Sequence, residues 1–136
     1  MKKIILQKDI IDLNNIFDNL GSDFDGAIVT FVGRARKKSN NREVKYLEYE
    51  IYRDMAMVEL EKITEYVFSR WDISNCAIIH RYGRVEIGET TIFIGVSSPH
   101  RREAFQSVRY IINTIKMKVP IWKKEFYLDD SKWVSH

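Results

Sequence analysis

The chain has 136 residues, the length of one domain, and 45% of them are hydrophobic, enough for a core that needs neither disulfides nor metals. A formal net charge of +3 suits an anionic small molecule or an acidic protein partner and falls short of a dedicated nucleic-acid binder. No apolar run approaches the roughly 20 residues of a membrane span, and charge interrupts Met1–Lys8 too soon for a signal peptide, so a cytoplasmic protein without membrane attachment is expected.

In chain order, Ile4–Leu6 reads as a short strand. Asp9 then caps a predicted helix carrying Ile10, Leu13, Ile16, Phe17 and Leu20 on one face, with Gly21 as its stop. Ala27–Val32 is a β-rich run leading into Gly33-Arg34-Ala35-Arg36, and Lys37–Arg42 reads as a polar, mobile loop. From Val44 to Tyr52 apolar and polar positions alternate, the mark of a half-buried strand. A helix over Asp54–Arg70 repeats Ala56, Leu60, Ile63 and Val67 at helical spacing. Strands over Ala77–Tyr82 and Thr91–Val96 flank a glycine-containing connection. A third helix, bracketed by Pro99 and Pro120, turns Ala104, Phe105, Val108, Ile111, Ile112 and Ile115 inward, and a last strand runs from Ile121 towards Tyr127. This order indicates one α+β domain over residues 1–136, a sandwich of a mainly antiparallel sheet with three helices.

The proline-bracketed helix carries cations at both ends. Pro99 is expected at the first helical position behind Ser98 as cap, which places His100, Arg101 and Arg102 in the first turn. The helix dipole is positive there, so an arriving anion would supply the reason for them. At the other end Lys116 lies beside the apolar stripe, where partial desolvation would favour a neutral amine able to act as base or nucleophile; a snorkelling lysine at a helix C-terminus is the plainer reading. On the following strand Lys123 and Glu125 share one face and Trp122, Lys124 and Phe126 the other. A charged edge strand that resists aggregation explains these residues equally well.

Several residues invite chemistry that their surroundings do not support. The single cysteine, Cys76, sits in an apolar run and reads as core packing, and His80 reads as a structural strand histidine. The GxxxxGKS/T, GxGxxG and HExxH patterns are absent, and no metal or cofactor is expected.

Taken together, the run Gly26–Arg36 (GAIVTFVGRAR), Leu47–Tyr52 (LEYEIY), His80–Gly83 (HRYG), Ser98–Arg101 (SPHR) and Lys116 with Pro120–Glu125 (PIWKKE) resemble the large, catalytic subunit of molybdopterin synthase. The resemblance covers Gly26 to Trp133. It implies an α/β hammerhead-type fold and a homodimer within a heterotetramer, whose other component is a small ubiquitin-like sulfur carrier ending in a thiocarboxylate. It also implies a sulfurtransferase of molybdenum cofactor biosynthesis that converts cyclic pyranopterin monophosphate to molybdopterin. By motif position the family's catalytic lysines fall on Lys116 and Lys123. Its substrate contacts fall on Arg34, Ala35, Arg36, His100, Arg101, Lys123, Lys124 and Glu125, with Phe31 and Ile112 as walls. Some relatives carry methionine at the position of Ile112. Others continue past Trp133 with further charged residues, so a basic contact from such a tail is expected to be missing or replaced.

A core-packed cysteine fits poorly with sulfur carried on the enzyme itself, which agrees with an external donor. The helix adds a constraint: His100 and Lys116 are about 24 Å apart along a regular helix, too far for one small substrate. A composite site is therefore expected, with the lysines from one subunit and His100 and Arg101 from its mate. Two competing classes are a single-strand nucleic-acid module, whose binding would weaken steeply with salt, and a silent scaffold that only holds the small partner.

Overall fold

A computed structural model describes residues 1–39 and 41–128, and the backbone alone for 131–134. The elements are β1 (Lys2–Gln7), β2 (Ala27–Arg34), β3 (Lys38–Ser39), β4 (Arg42–Ile51), α1 (Arg53–Arg70), β5 (Asn75–Arg81), β6 (Gly83–Glu86), β7 (Thr90–Ser98), α2 (Arg101–Lys118), β8 (Ile121–Tyr127) and β9 (Ser131–Val134). One sheet has the order β1-β5-β7-β2, the second β3-β4-β8-β9 with β6 also on β4. Only β1 and β5 pair in parallel among the described residues. The α+β class is as expected.

Alternation along β5 and β7 sorts their side chains onto two faces, and both faces are covered. Cys76 and Ile78 of β5 join Ile92, Ile94 and Val96 of β7 in the main core with α1, α2 and the second sheet. Ala77, Ile79 and Phe93 point the other way and meet Ile11 and Leu20. The second face is thus closed by the stretch between β1 and β2, where a helix was expected.

That stretch is not helical; α1 and α2 are the two helices among the described residues. Its bonds are isolated turns, Asp18 N–H to Asn15 O and Leu20 N–H to Phe17 O. Asp12 Oδ1 accepts the Asn14 N–H, the local competition by which Asp and Asn displace helix. The expected apolar face is also split: Ile10 and Phe17 are largely exposed, while Ile11 and Leu20 are buried. Leu20, 1% exposed, contributes about 2 kcal/mol of burial.

Other expectations change locally. The polar loop at 37–42 holds β3, which pairs with Arg42 and Glu43; Asn40 lies outside the described residues. A bulge between Val44 and Tyr46 shifts the alternation of β4, so Val44 and Leu47 are both buried. The connection after β5 contains β6, a strand made by pairing with β4. In α2 the buried residues are Ala104, Ser107, Val108, Ile111, Thr114 and Ile115, whereas Phe105 is 60% exposed rather than inward. No described helix is long and apolar enough to cross a membrane.

His80 is buried under the second sheet, its ring edge-on to Tyr49 and its Nδ1 2.7 Å from Arg81 O. Burial pushes its imidazole down to about 4 from the ordinary 6.5, so the folded chain holds it neutral. The unfolded chain takes up this proton first, so the stabilisation is complete above pH 6.5 and is lost as pH falls towards 4. We expect a loss on the order of 3 kcal/mol across that window. Denaturant titrations at stepped pH should show it, and His80→Gln should flatten the curve there; an unchanged slope in the variant would refute the assignment.

Candidate active site

Pro120 has no N–H with which to extend α2, and Val119 is already extended, so the helix ends at Lys118 and β8 begins at once. Antiparallel pairing with β4 sets Lys123 opposite Tyr49 and Glu125 opposite Leu47. Ile121, Glu125 and Tyr127 are buried on this face and Lys123 is half-buried. The two faces of the strand are those read from the sequence.

Lys123 is the centre of the site. Burial holds its ammonium below the ordinary 10.5; Glu125 opposes this, and the positive charges of Arg36 and Lys116 act with burial. Three cations and one carboxylate from β8, the end of α2 and the segment after β2 therefore share one field. Glu125 is 4% exposed, and Tyr127 donates its hydroxyl to Glu125 Oε1 at 2.7 Å. Sequence reasoning passed over Tyr127, although its place two residues beyond Glu125 on the same strand face was a usable signal. Tyr49 is buried across from Lys123, and burial pushes its phenol up to about 12, so it stays protonated.

Lys116 follows the plainer reading: its side chain is exposed in the last turn of α2, and the partial burial weighed for it falls on Lys123 instead. The reason lies in α2, where the buried stripe ends at Thr114 and Ile115 and the next residue turns to solvent. Lys124 lies on the opposite face of β8, its ammonium over the Phe126 ring, away from Lys123 and Glu125.

Arg34, Ala35 and Arg36 follow a bulge. Gly33 pairs with Ile92 but Arg34 with Thr90, and this irregularity turns the chain out of the sheet. Ala35 is buried, and Arg34 donates from Nε and Nη2 to Gly88 O at 3.2 and 2.9 Å. Arg36 is exposed, and it is the member of the trio whose charge reaches Lys123.

The other cationic group is at the start of α2. Ser98 does not cap the helix: it pairs with Ala27 as the last residue of β7, and its hydroxyl accepts the His100 N–H. His100 is the extended cap residue, so the helix starts at Arg101, two residues later than expected. His100, Arg101 and Arg102 line a recess with Gly26 and Pro99. Gly26 is required there, because an added Cβ would lie 2.5 Å from Pro99 O. Phe31 and Ile112 face one groove between β2 and α2, together with Val29, Phe105 and Arg109. With α2 regular over Arg101–Lys118, His100 and Lys116 stay about 24 Å apart.

Cys76 is fully buried, and burial pushes its thiol up to about 12, which leaves no accessible thiolate.

The family model described as MoaE protein matches residues 6–118. The molybdopterin synthase catalytic subunit of Dictyostelium discoideum is 43% identical over 95% of this chain and 83% of its own length. The chain belongs to this family. The protein of the same description from Bacillus subtilis is 39% identical over 98% of this chain and 85% of its own length. The crystal structure of molybdopterin synthase from Staphylococcus aureus superposes with a TM-score of 0.92 at 36% identity, covering 100% of this chain and 99% of that one. As in that family, the chain is an enzyme.

The field around Lys123 can be measured directly. In NMR titrations of the 13Cε resonance, Lys123 should titrate below 10.5, with Glu125→Gln lowering the midpoint further and Arg36→Ala raising it. Shifts in the opposite directions would exclude the arrangement of charges described above.

Proposed function

We propose that this chain is the catalytic subunit of a molybdopterin synthase. In this reading it moves sulfur from the C-terminal thiocarboxylate of a small ubiquitin-like carrier to cyclic pyranopterin monophosphate. The observation that carries the proposal is the convergence of Lys116, Lys123, Arg36 and Glu125, within a family whose curated members bear that enzyme's name. Each thiocarboxylate delivers one sulfur and is left as carboxylate, so a dithiolene needs two deliveries. Burial and the neighbouring cations disfavour the proton on Lys123, which suits this lysine to move a proton as water cleaves the acyl–sulfur bond and leaves the carrier as carboxylate. Arg36 and the second lysine then stabilise the anionic groups that gather there. Cys76 takes no part, because its buried thiol cannot be reached.

The active unit in this proposal is a homodimer within a heterotetramer, acting in the cytoplasm. His100 and Arg101 hold the phosphate, their recess lying at an α2 terminus that no side chain caps among the described residues. Because α2 separates them from Lys116, they serve the partner's lysines. Two α2 helices running antiparallel about a twofold axis would bring the start of one to the end of the other. The groove along β2 and α2, with exposed Phe105 at its rim, suits such an approach. Phe31 and Ile112 are its apolar walls.

The decisive assay supplies thiocarboxylated carrier and pyranopterin and looks for dithiolene product. Lys116→Ala and Lys123→Ala should each reduce product formation by about 100-fold or more, and wild-type protein giving none would refute the proposal. Subunit exchange between Lys116→Ala and His100→Ala proteins tests the shared site. Half the dimers are then mixed and each holds one intact site, so roughly a quarter of wild-type activity should return. Sites confined to one subunit would recover nothing.

A further inference from the structure

The HRYG stretch contributes a residue that the proposed chemistry does not use. Arg81 is 5% exposed, and its guanidinium is fully engaged. Nε and Nη2 donate to Lys8 O at 3.2 and 3.0 Å, Nη2 also to Arg84 O at 3.1 Å, and Nη1 to Glu89 Oε1 at 3.0 Å. The same carboxylate oxygen accepts the Glu86 N–H at 2.8 Å. Glu89 thereby closes the turn between β6 and β7 upon itself, helped by its own N–H to Glu86 O. That Glu86 contact and the Arg81 pair hold its carboxyl below the ordinary value of 4.5, against the opposing effect of burial.

The closed turn grips a neighbouring segment. Gly88, at φ +88°, takes a left-handed conformation open to glycine and donates its N–H to Ala35 O at 2.9 Å. Ala35 returns its N–H to Glu89 O at 3.0 Å, and Arg34 adds its two-pronged contact to Gly88 O. The segment has just left the sheet at the bulge after Gly33, so the turn replaces the strand ladder it has lost. The next residue is Arg36, exposed and otherwise free to swing. A buried arginine with three separate acceptors is a costly way to brace a surface turn, since charges removed from water repay that cost only when their geometry is well satisfied.

We propose that the ion pair between buried Arg81 and partly exposed Glu89 is a positioning device: through the turn that holds Arg34 and Ala35, it fixes where Arg36 presents its charge to the anion beside Lys123. Glu89 and Arg81 are positioning residues in this account and touch no substrate. The inference rests on the reading above only in giving Arg36 an anionic substrate.

Two independent measurements test it, on the intact protein and, for turnover, its complex with the carrier. In the substrate-free protein, Glu89→Gln keeps the shape and removes the charge. Amide exchange at Ala35 and Gly88 should speed up about tenfold or more, while Ile94 and Val96 in β7 keep their protection. In turnover, Glu89→Gln should raise KM for the pyranopterin about tenfold with kcat within about twofold, the expected effect of misplacing one charged contact. In an Arg36→Ala background the same substitution should change KM no further. Should Glu89→Gln not fold, Glu89→Asp and Arg81→Lys carry the same tests. Unchanged exchange at Ala35, additive effects with Arg36→Ala, or a fall in kcat at constant KM would overturn the proposal. Absence of product with wild-type protein would defeat the functional reading alone, because the exchange measurement needs no turnover.

Discussion

Burial of β7 on both faces is the constraint from which the architecture follows. Every residue from Thr90 to Ser98 is buried, so each face of this strand needs its own cover. Helices α1 and α2 with the second sheet close one face, and turns anchored by Ile11 and Leu20 close the other. The consequence for the site is positional. With β2 and β5 paired to its two edges, β7 fixes the bulge at Gly33, the start of α2 after Ser98 and the turn preceding Thr90. All three deliver residues to the cationic regions, so a rigid strand sets positions that exposed arginines and lysines could not hold unaided.

Charge balance in the site is set by what each cation is denied. Lys123 is half-buried against β4 with Tyr49 and Glu125 on its face; Lys116 and Arg36 reach it from solvent-facing positions. Burying one lysine beside two further cations disfavours its proton, and a single buried carboxylate returns part of what is lost. Glu125 is in turn held by the Tyr127 hydroxyl, which limits how freely its charge follows the lysine. The arrangement leaves a deficit of negative charge that an anionic substrate or a carrier's C-terminus would fill.

The sequence was legible where local pattern and tertiary burial agree. In α1 the repeated Ala56, Leu60, Ile63 and Val67 are all buried, and β8 divides its faces as alternation requires. Legibility failed where long-range contacts overrode local spacing. Ile10, Leu13, Ile16, Phe17 and Leu20 lie at helical intervals, yet a sheet face needed covering by Ile11 and Leu20, and neighbouring Asp and Asn offered competing local bonds. Four residues of β6 become a strand only because β4 is beside them. The brace at Arg81 was hidden for a related reason: Lys8 comes from a distant part of the chain, and the Lys8 and Arg84 acceptors are backbone carbonyls that leave no mark on side-chain pattern.

The length of α2 carries the last step. Pro120 and the extended Val119 stop the helix at Lys118, while Ser98, committed to its ladder with Ala27, delays the start to Arg101. Shortening the helix by a turn would move the ends only about 5 Å closer, and would also rotate Lys116 relative to the buried stripe that fixes α2 on the sheet. The distance between the two cationic groups is therefore tied to core packing. A small anion cannot bridge them within one subunit, so adaptation of this fold to a substrate touching both ends has to come from bringing two copies together. Each helix would then serve as a spacer between half-sites.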